Sequence, residues 1–111
     1  MSELVKVIET IETFDTLTQS GMVLVDFFAT WCRPCRMQGP ILEQLAPAVA
    51  GKATLVKVDT DKLPTLAQKF DVASIPTLVL LKNGQVVERF VGLQQASTLQ
   101  DAIESATRSV E

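Results

Sequence analysis

The run MVLVDFFA at residues 22 to 29 constrains the fold more than any other stretch of the chain. It is apolar at odd and even positions alike, apart from Asp26. A strand with one solvated face would alternate, so this one reads as a central strand covered by helices on both sides. It is also far short of the roughly 20 apolar residues that a membrane-spanning helix needs. A strand of this kind requires partners on both edges and helices above and below it, and the flanking sequence supplies both.

Residues 3 to 8 read as a weakly marked first strand. Thr10 then precedes Ile11, Phe14 and Leu17 at helical spacing, and Gly21 stops the pattern, which predicts a helix over 11–20. From Pro34 the pattern is helical again through Met37, Ile41, Leu42, Leu45 and Val49. Pro34 suits a first turn, whereas Pro40 is interior and should kink the helix; Pro47 should fray or end it, and Gly51 closes it. ATLVKVD at 53–59 is the next strand, and the strand-helix-strand order predicts that it runs parallel to its predecessor through a right-handed crossover. After a polar loop, Pro64 opens a short helix carrying Leu66, Ala67 and Phe70. IPTLVLLKNGQVVERFVG, residues 75–92, then joins two apolar runs through Asn83-Gly84, a strong hairpin signal, so the last two strands should be antiparallel. Ser97 and Gln100 have the spacing of a capping box before a final helix whose apolar stripe is Leu99, Ala102, Ile103 and Ala106. The expected architecture is α/β, a mixed sheet of about five strands flanked by about four helices.

Length and charge narrow the function classes. One domain, residues 1–111, is expected, since a chain of this size buries roughly 60 to 70% of its unfolded surface and needs no staple. Hydrophobic residues make up 47% of it and charged residues 21%, a globular composition. Net charge is −3 and the ten Lys and Arg are scattered, so no nucleic-acid partner is expected. The opening MSELVKVIETIET meets Glu3, Lys6 and Glu9 before any long apolar run, which excludes a signal peptide and, with no spanning segment, predicts a soluble cytoplasmic protein away from membranes. That location bears on the two cysteines, because cytosolic disulfides are mostly catalytic or redox-sensing.

Both cysteines stand in FFATWCRPCRM, residues 27–37, with two residues between them. As a structural clip, a loop of about four residues would remove only roughly 2 kcal/mol of unfolded-state entropy. As a metal site, Cys32 and Cys35 form half of a zinc finger, and the chain has no further cysteine and no histidine to complete it unless two protomers share one. As a dithiol exchanger, a helix starting at Cys32 would aim its first-turn amides and dipole at that sulfur and favour the nucleophilic thiolate. Cys35, one turn on, would be shielded and close enough to attack Cys32 after a mixed disulfide has formed.

DFFATWCRPC, Pro40, KVDTD, IPTLVLLKNG and FVG together resemble the thioredoxin family in order and spacing, over nearly the whole chain. The resemblance implies a thioredoxin fold and a protein-disulfide reductase in which Cys32 attacks and Cys35 resolves. It further implies recycling by a thioredoxin reductase, disulfide-containing target proteins as partners, a monomer, and no bound cofactor or metal. Pro76 matches the family's cis-proline, which presents backbone to an extended stretch of target. Asp26 matches its buried carboxylate, and the apolar neighbours Val25 and Phe27 already require that this group be desolvated, with a raised pKa suited to handling the Cys35 proton. Lys57 matches the lysine that pairs with that carboxylate; a purely structural ion pair is the other reading. Trp31, Pro34, Ile75, Pro76 and Gly92 match the motif and the apolar surface where targets dock, with core packing the alternative for Trp31.

Two positions depart from the family pattern. Phe28 stands where a tryptophan is usual and should keep the packing without an indole hydrogen bond. Arg33 stands where glycine is usual and sets a cation beside the nucleophile, which should favour the thiolate, raise the reduction potential slightly and bias docking toward acidic surfaces. The other readings of the same residues are a disulfide isomerase or oxidase module and a non-catalytic interaction protein of the same fold.

Overall fold

A computed structural model describes residues 4–108. In chain order the elements are β1 (Val5–Val7), α1 (Ile11–Thr18), β2 (Met22–Phe28), α2 (Arg33–Ala48), β3 (Thr54–Asp59), α3 (Pro64–Lys69), β4 (Thr77–Lys82), β5 (Gln85–Val91) and α4 (Ala96–Arg108). The strands form one mixed sheet in the order β1-β3-β2-β4-β5. β2 is central as its sequence requires, parallel to β3 and antiparallel to β4.

Side chains alternate across a strand, so β2 feeds two cores. Met22 and Leu24 join Leu55, Leu78 and Leu80 beneath Leu42 and Leu45 of α2 and Leu99 and Ile103 of α4. Val23, Val25 and Phe27 join Val56, Val79 and Leu81 on the other face, against Phe14 of α1 and Leu66 of α3. By this alternation Asp26 and Phe28 share the α2 side of the sheet with Leu24. Lys57 stands directly opposite Asp26 in the β2–β3 register.

The local signals act largely as expected. The Thr10 hydroxyl caps α1 by accepting from the Thr13 amide at 3.1 Å. Asn83 and Gly84 take φ of 52° and 81°, the positive values that a two-residue hairpin turn demands. Thr10 and Gly21 bracket an α1 that ends at Thr18, two residues short of the predicted 20. Pro47 falls one residue before the end of α2, whereas Pro40 is accommodated inside a helix that runs on to Ala48. The first strand, expected from residue 3, is seen from Val5; residue 3 lies outside the described residues.

One expectation fails for a physical reason. Ser97 is not a cap: α4 begins at Ala96, and the Leu99 amide already bonds to the Gln95 carbonyl at 3.3 Å. Gln100 accordingly donates along the helix to Glu104 rather than back to a cap. The apolar pattern read for α2 holds at Leu42, Leu45 and Val49, which are buried; Cys35, Gln38 and Ala46 complete the inward face, Ile41 is half-buried and Met37 lies 52% exposed on the helix surface.

Candidate active site

The cysteine pair sits where β2 gives way to α2. The Cys32 amide donates to the Ala29 carbonyl at 3.2 Å, closing a turn that brings Cys32 to the helix start. Cys32 is the N-cap residue, with extended backbone, and its Sγ accepts from the Cys35 amide at 3.2 Å. Pro34 occupies the first turn, where a missing N–H leaves no intrahelical bond unmade. The positive end of α2 thus converges on the Cys32 sulfur, an arrangement that favours the thiolate when the pair is reduced. The two cysteines are joined as a disulfide with Cα atoms 5.2 Å apart, Cys32 5% and Cys35 1% exposed. Only Cys32 offers solvent an approach.

Two other segments frame the pair. Ile75 packs against the Ala29, Cys32 and Cys35 cluster, and its carbonyl oxygen lies 3.7 Å from Cys32 Sγ. The Ile75-Pro76 bond is cis. Gly92 donates its amide to the Pro76 carbonyl at 2.8 Å with φ of 94°. A side chain at that φ is strained even though a Cβ there would meet nothing. Gly92→Ala is therefore expected to cost about 1–2 kcal/mol in urea unfolding, from backbone strain alone.

Trp31 is 68% exposed, which removes core packing as its role, and its indole Nε1 donates to Asp61 Oδ2 at 2.9 Å. Asp61 is a participant that the sequence did not single out. Its own amide is fixed by Asp59 Oδ1 at 2.9 Å, so the loop after β3 holds the indole beside the cysteines. Arg33 is exposed and its guanidinium has no partner among the described residues. Trp31, Cys32, Arg33, Pro34, Cys35, Ile75, Pro76 and Gly92 thus meet at one end of the sheet.

Asp26, on the α2 side of β2, is fully buried, and neither carboxylate oxygen has a hydrogen-bond partner. Burial pushes its pKa from 3.8 up to about 7, with the Lys57 charge opposing the shift. The expected pairing of Lys57 with Asp26 is not formed. The Lys57 ammonium instead sits over the Phe28 ring, 4.4 Å from its centroid, and no salt bridge joins the two side chains. The ring offers the ammonium a favourable face without burying it fully, whereas reaching the already buried Asp26 would strip the ammonium of its water. Among the described residues no group of three or more His, Cys, Asp or Glu side chains is placed to hold a metal ion.

A thioredoxin family model matches residues 5–105. The chain belongs to the thioredoxin family. A thioredoxin of Staphylococcus saprophyticus is 50% identical over 91 residues, which is 82% of this chain and 88% of that protein. Among solved structures, a mutant thioredoxin from Halobacterium salinarum aligns with a TM-score of 0.86 at 38% identity, over 96% of this chain and 94% of that one. The oxidised form of mitochondrial thioredoxin 3 from Saccharomyces cerevisiae aligns at 0.81 and 32% identity, over 91% and 94%. With the disulfide-forming pair in place, family membership makes the chain a thiol-disulfide oxidoreductase. Its fold is the thioredoxin fold expected from the sequence.

Proposed function

We propose that this member of the thioredoxin family reduces the disulfides of target proteins through Cys32 and Cys35 and is recycled by a separate thioredoxin reductase. The observation that carries the reading is the setting of Cys32: a helix N-cap sulfur, 5% exposed beside the Ile75 carbonyl, with Cys35 buried one turn behind it. The Cys32 thiolate attacks one sulfur of the target disulfide, forming a mixed disulfide and releasing the first target thiolate. Cys35, losing its proton, attacks the Cys32 sulfur; the intramolecular disulfide closes and the second target thiolate leaves. Two electrons pass from the protein to the target, and the reductase returns two.

In this reading Trp31, Pro34, Ile75, Pro76 and Gly92 form the docking surface, with the backbone at Ile75-Pro76 offered to an extended stretch of target. Asp26 takes the Cys35 proton. The proposed setting is a monomer in the cytoplasm, consistent with the lack of any helix, among the described residues, long and apolar enough to cross a membrane. Catalysed reduction of insulin, followed by precipitation of its freed chain in the presence of dithiothreitol, tests the reading; a rate equal to that of dithiothreitol alone would reject it.

Arg33 raises the question of an oxidase or isomerase instead. An exposed ionic contact is worth about 0.2–1 kcal/mol. At about 1.4 kcal/mol per 30 mV this moves the couple by about 5–20 mV, against about 150 mV between reducing thioredoxins and a strong periplasmic oxidant. Arg33 tunes the couple without converting it. Arg33→Gly is expected to make it more reducing by about 5–20 mV. Titration against glutathione buffers checks this, and no shift, or a shift in the other direction, would count against it.

A further inference from the structure

The segment that follows β5 is held by a side chain from α2. Gln38, one turn beyond Cys35, is fully buried, in a stripe otherwise made of Leu42, Leu45 and Ala46. Its amide makes two hydrogen bonds, both to the main chain of Gln94: Nε2 donates to the Gln94 carbonyl at 3.0 Å, and Oε1 accepts from the Gln94 amide at 2.8 Å. The Gln94 side chain then donates to the Gly92 carbonyl at 3.1 Å, and the Gly92 amide donates to the Pro76 carbonyl at 2.8 Å. One continuous chain of bonds thus runs from the helix that carries the cysteines, through Gln94 and Gly92, to the Ile75-Pro76 segment facing Cys32.

An apolar side chain would fill this place in the core at lower desolvation cost, because burying an amide is unfavourable unless its bonds are met. What the amide adds is position. Gln38 matches both backbone groups of Gln94 much as a neighbouring strand would, in a segment that lies beyond the end of β5 and has no strand partner of its own. We infer that Gln38 is a positioning residue for target docking: it fixes the height of Gly92–Gln94 relative to Ile75-Pro76 and so shapes the groove that receives the polypeptide on either side of a target disulfide. Gln38 does not touch the reacting sulfurs in this scheme, so it should matter for a protein disulfide and not for a small one. The inference rests on the reductase reading above.

The test compares wild type, Q38M and Q38E on two substrates, insulin and 5,5′-dithiobis(2-nitrobenzoate), together with amide hydrogen exchange. For Q38M the KM for insulin is expected to rise about fivefold or more, the scale of one lost hydrogen bond. Its kcat, its rate with the small disulfide and its reduction potential are expected to stay within about twofold or unshifted. Exchange at the Gln94 and Gly92 amides should quicken while that of β2 does not, which separates a loosened segment from a destabilised molecule. Q38E keeps the acceptor for the Gln94 amide but, when ionised, sets a buried carboxylate oxygen against the Gln94 carbonyl, so its insulin KM should rise at least as much as that of Q38M. If Q38M does not fold, the same readouts on Q38E decide. An unchanged insulin KM in the folded variants, or equal slowing with both substrates, overturns the inference alone. A wild type that fails to reduce insulin overturns the reductase reading and this inference with it.

Discussion

Replacing Cys32 with serine is expected to abolish catalysed insulin reduction, whereas replacing Cys35 with serine should leave the protein covalently attached to its targets. The asymmetry follows from burial and from the direction of α2. Cys32 is the sulfur at the positive end of the helix and the one with an exposed face, while Cys35 is 1% exposed. A target disulfide can therefore reach only Cys32, and a serine hydroxyl there, with no accessible anion at neutral pH, gives no exchange. With Cys35→Ser the first step proceeds, but nothing is in place to release the product. The measured result should be a ladder of mixed disulfides on non-reducing gels from a lysate, collapsing on addition of dithiothreitol. Equal trapping by Cys32→Ser, or insulin reduction that survives Cys32→Ser, would show that the roles are assigned wrongly. Rate loss on Cys32→Ser should be total within detection, since no second thiol remains exposed.

Much of this was legible in the sequence because the relevant signals are local. A run apolar at every position but Asp26 marks the central strand, Asn83-Gly84 marks the hairpin, and Pro34 marks the first turn of a helix. The misses are cases where a side chain's partner lies far along the chain. Nothing near Lys57 says that its ammonium will lie over Phe28 instead of reaching Asp26. Ser97 and Gln100 have capping-box spacing, yet the helix starts earlier because Gln95 already supplies the first carbonyl. Gln38 was detectable in principle: counting from Cys35 by helical steps places 38, 42 and 45 on one face, and a glutamine among inward positions needs a buried partner. The apolar pattern through Met37, Ile41, Leu42, Leu45 and Val49 passes over position 38, because the helix holds apolar residues in more than one phase. Asp61 as partner of Trp31 carried no such signal, since an acidic residue in a polar loop has many possible roles.

Asp26 offers the second large effect, and it has two separate readouts. A buried carboxyl held at about 7 instead of 3.8 keeps its proton in the folded chain where the unfolded chain has lost it. Below pH 3.8 the group is neutral in both states and adds no pH dependence. From there to about 7 the folded state binds the extra proton, so stability falls as pH rises, and above about 7 the loss is complete. Across that interval, at about 1.4 kcal/mol per pH unit, the loss comes to about 4 kcal/mol. Asp26→Asn cannot ionise, so urea unfolding of the oxidised proteins should show the variant gaining on wild type by about 4 kcal/mol between about pH 4 and about pH 8. A gap that stays constant with pH would mean that Asp26 is not the group whose ionisation is suppressed by burial. The second readout concerns catalysis. If Asp26 takes the Cys35 proton, the asparagine variant should resolve mixed disulfides more slowly by about tenfold to 100-fold, the low end of what a positioned base contributes, and lose the inflection near neutrality in its rate profile. Unchanged reduction rates from about pH 6 to about pH 9, in a variant that shows the stability gain, would leave the ionisation in place and remove the catalytic role. The unsatisfied carboxylate oxygens make that outcome informative: a group that costs the fold stability above neutral pH and does nothing for the chemistry would have no partner, in the structure or in the reaction, to account for it.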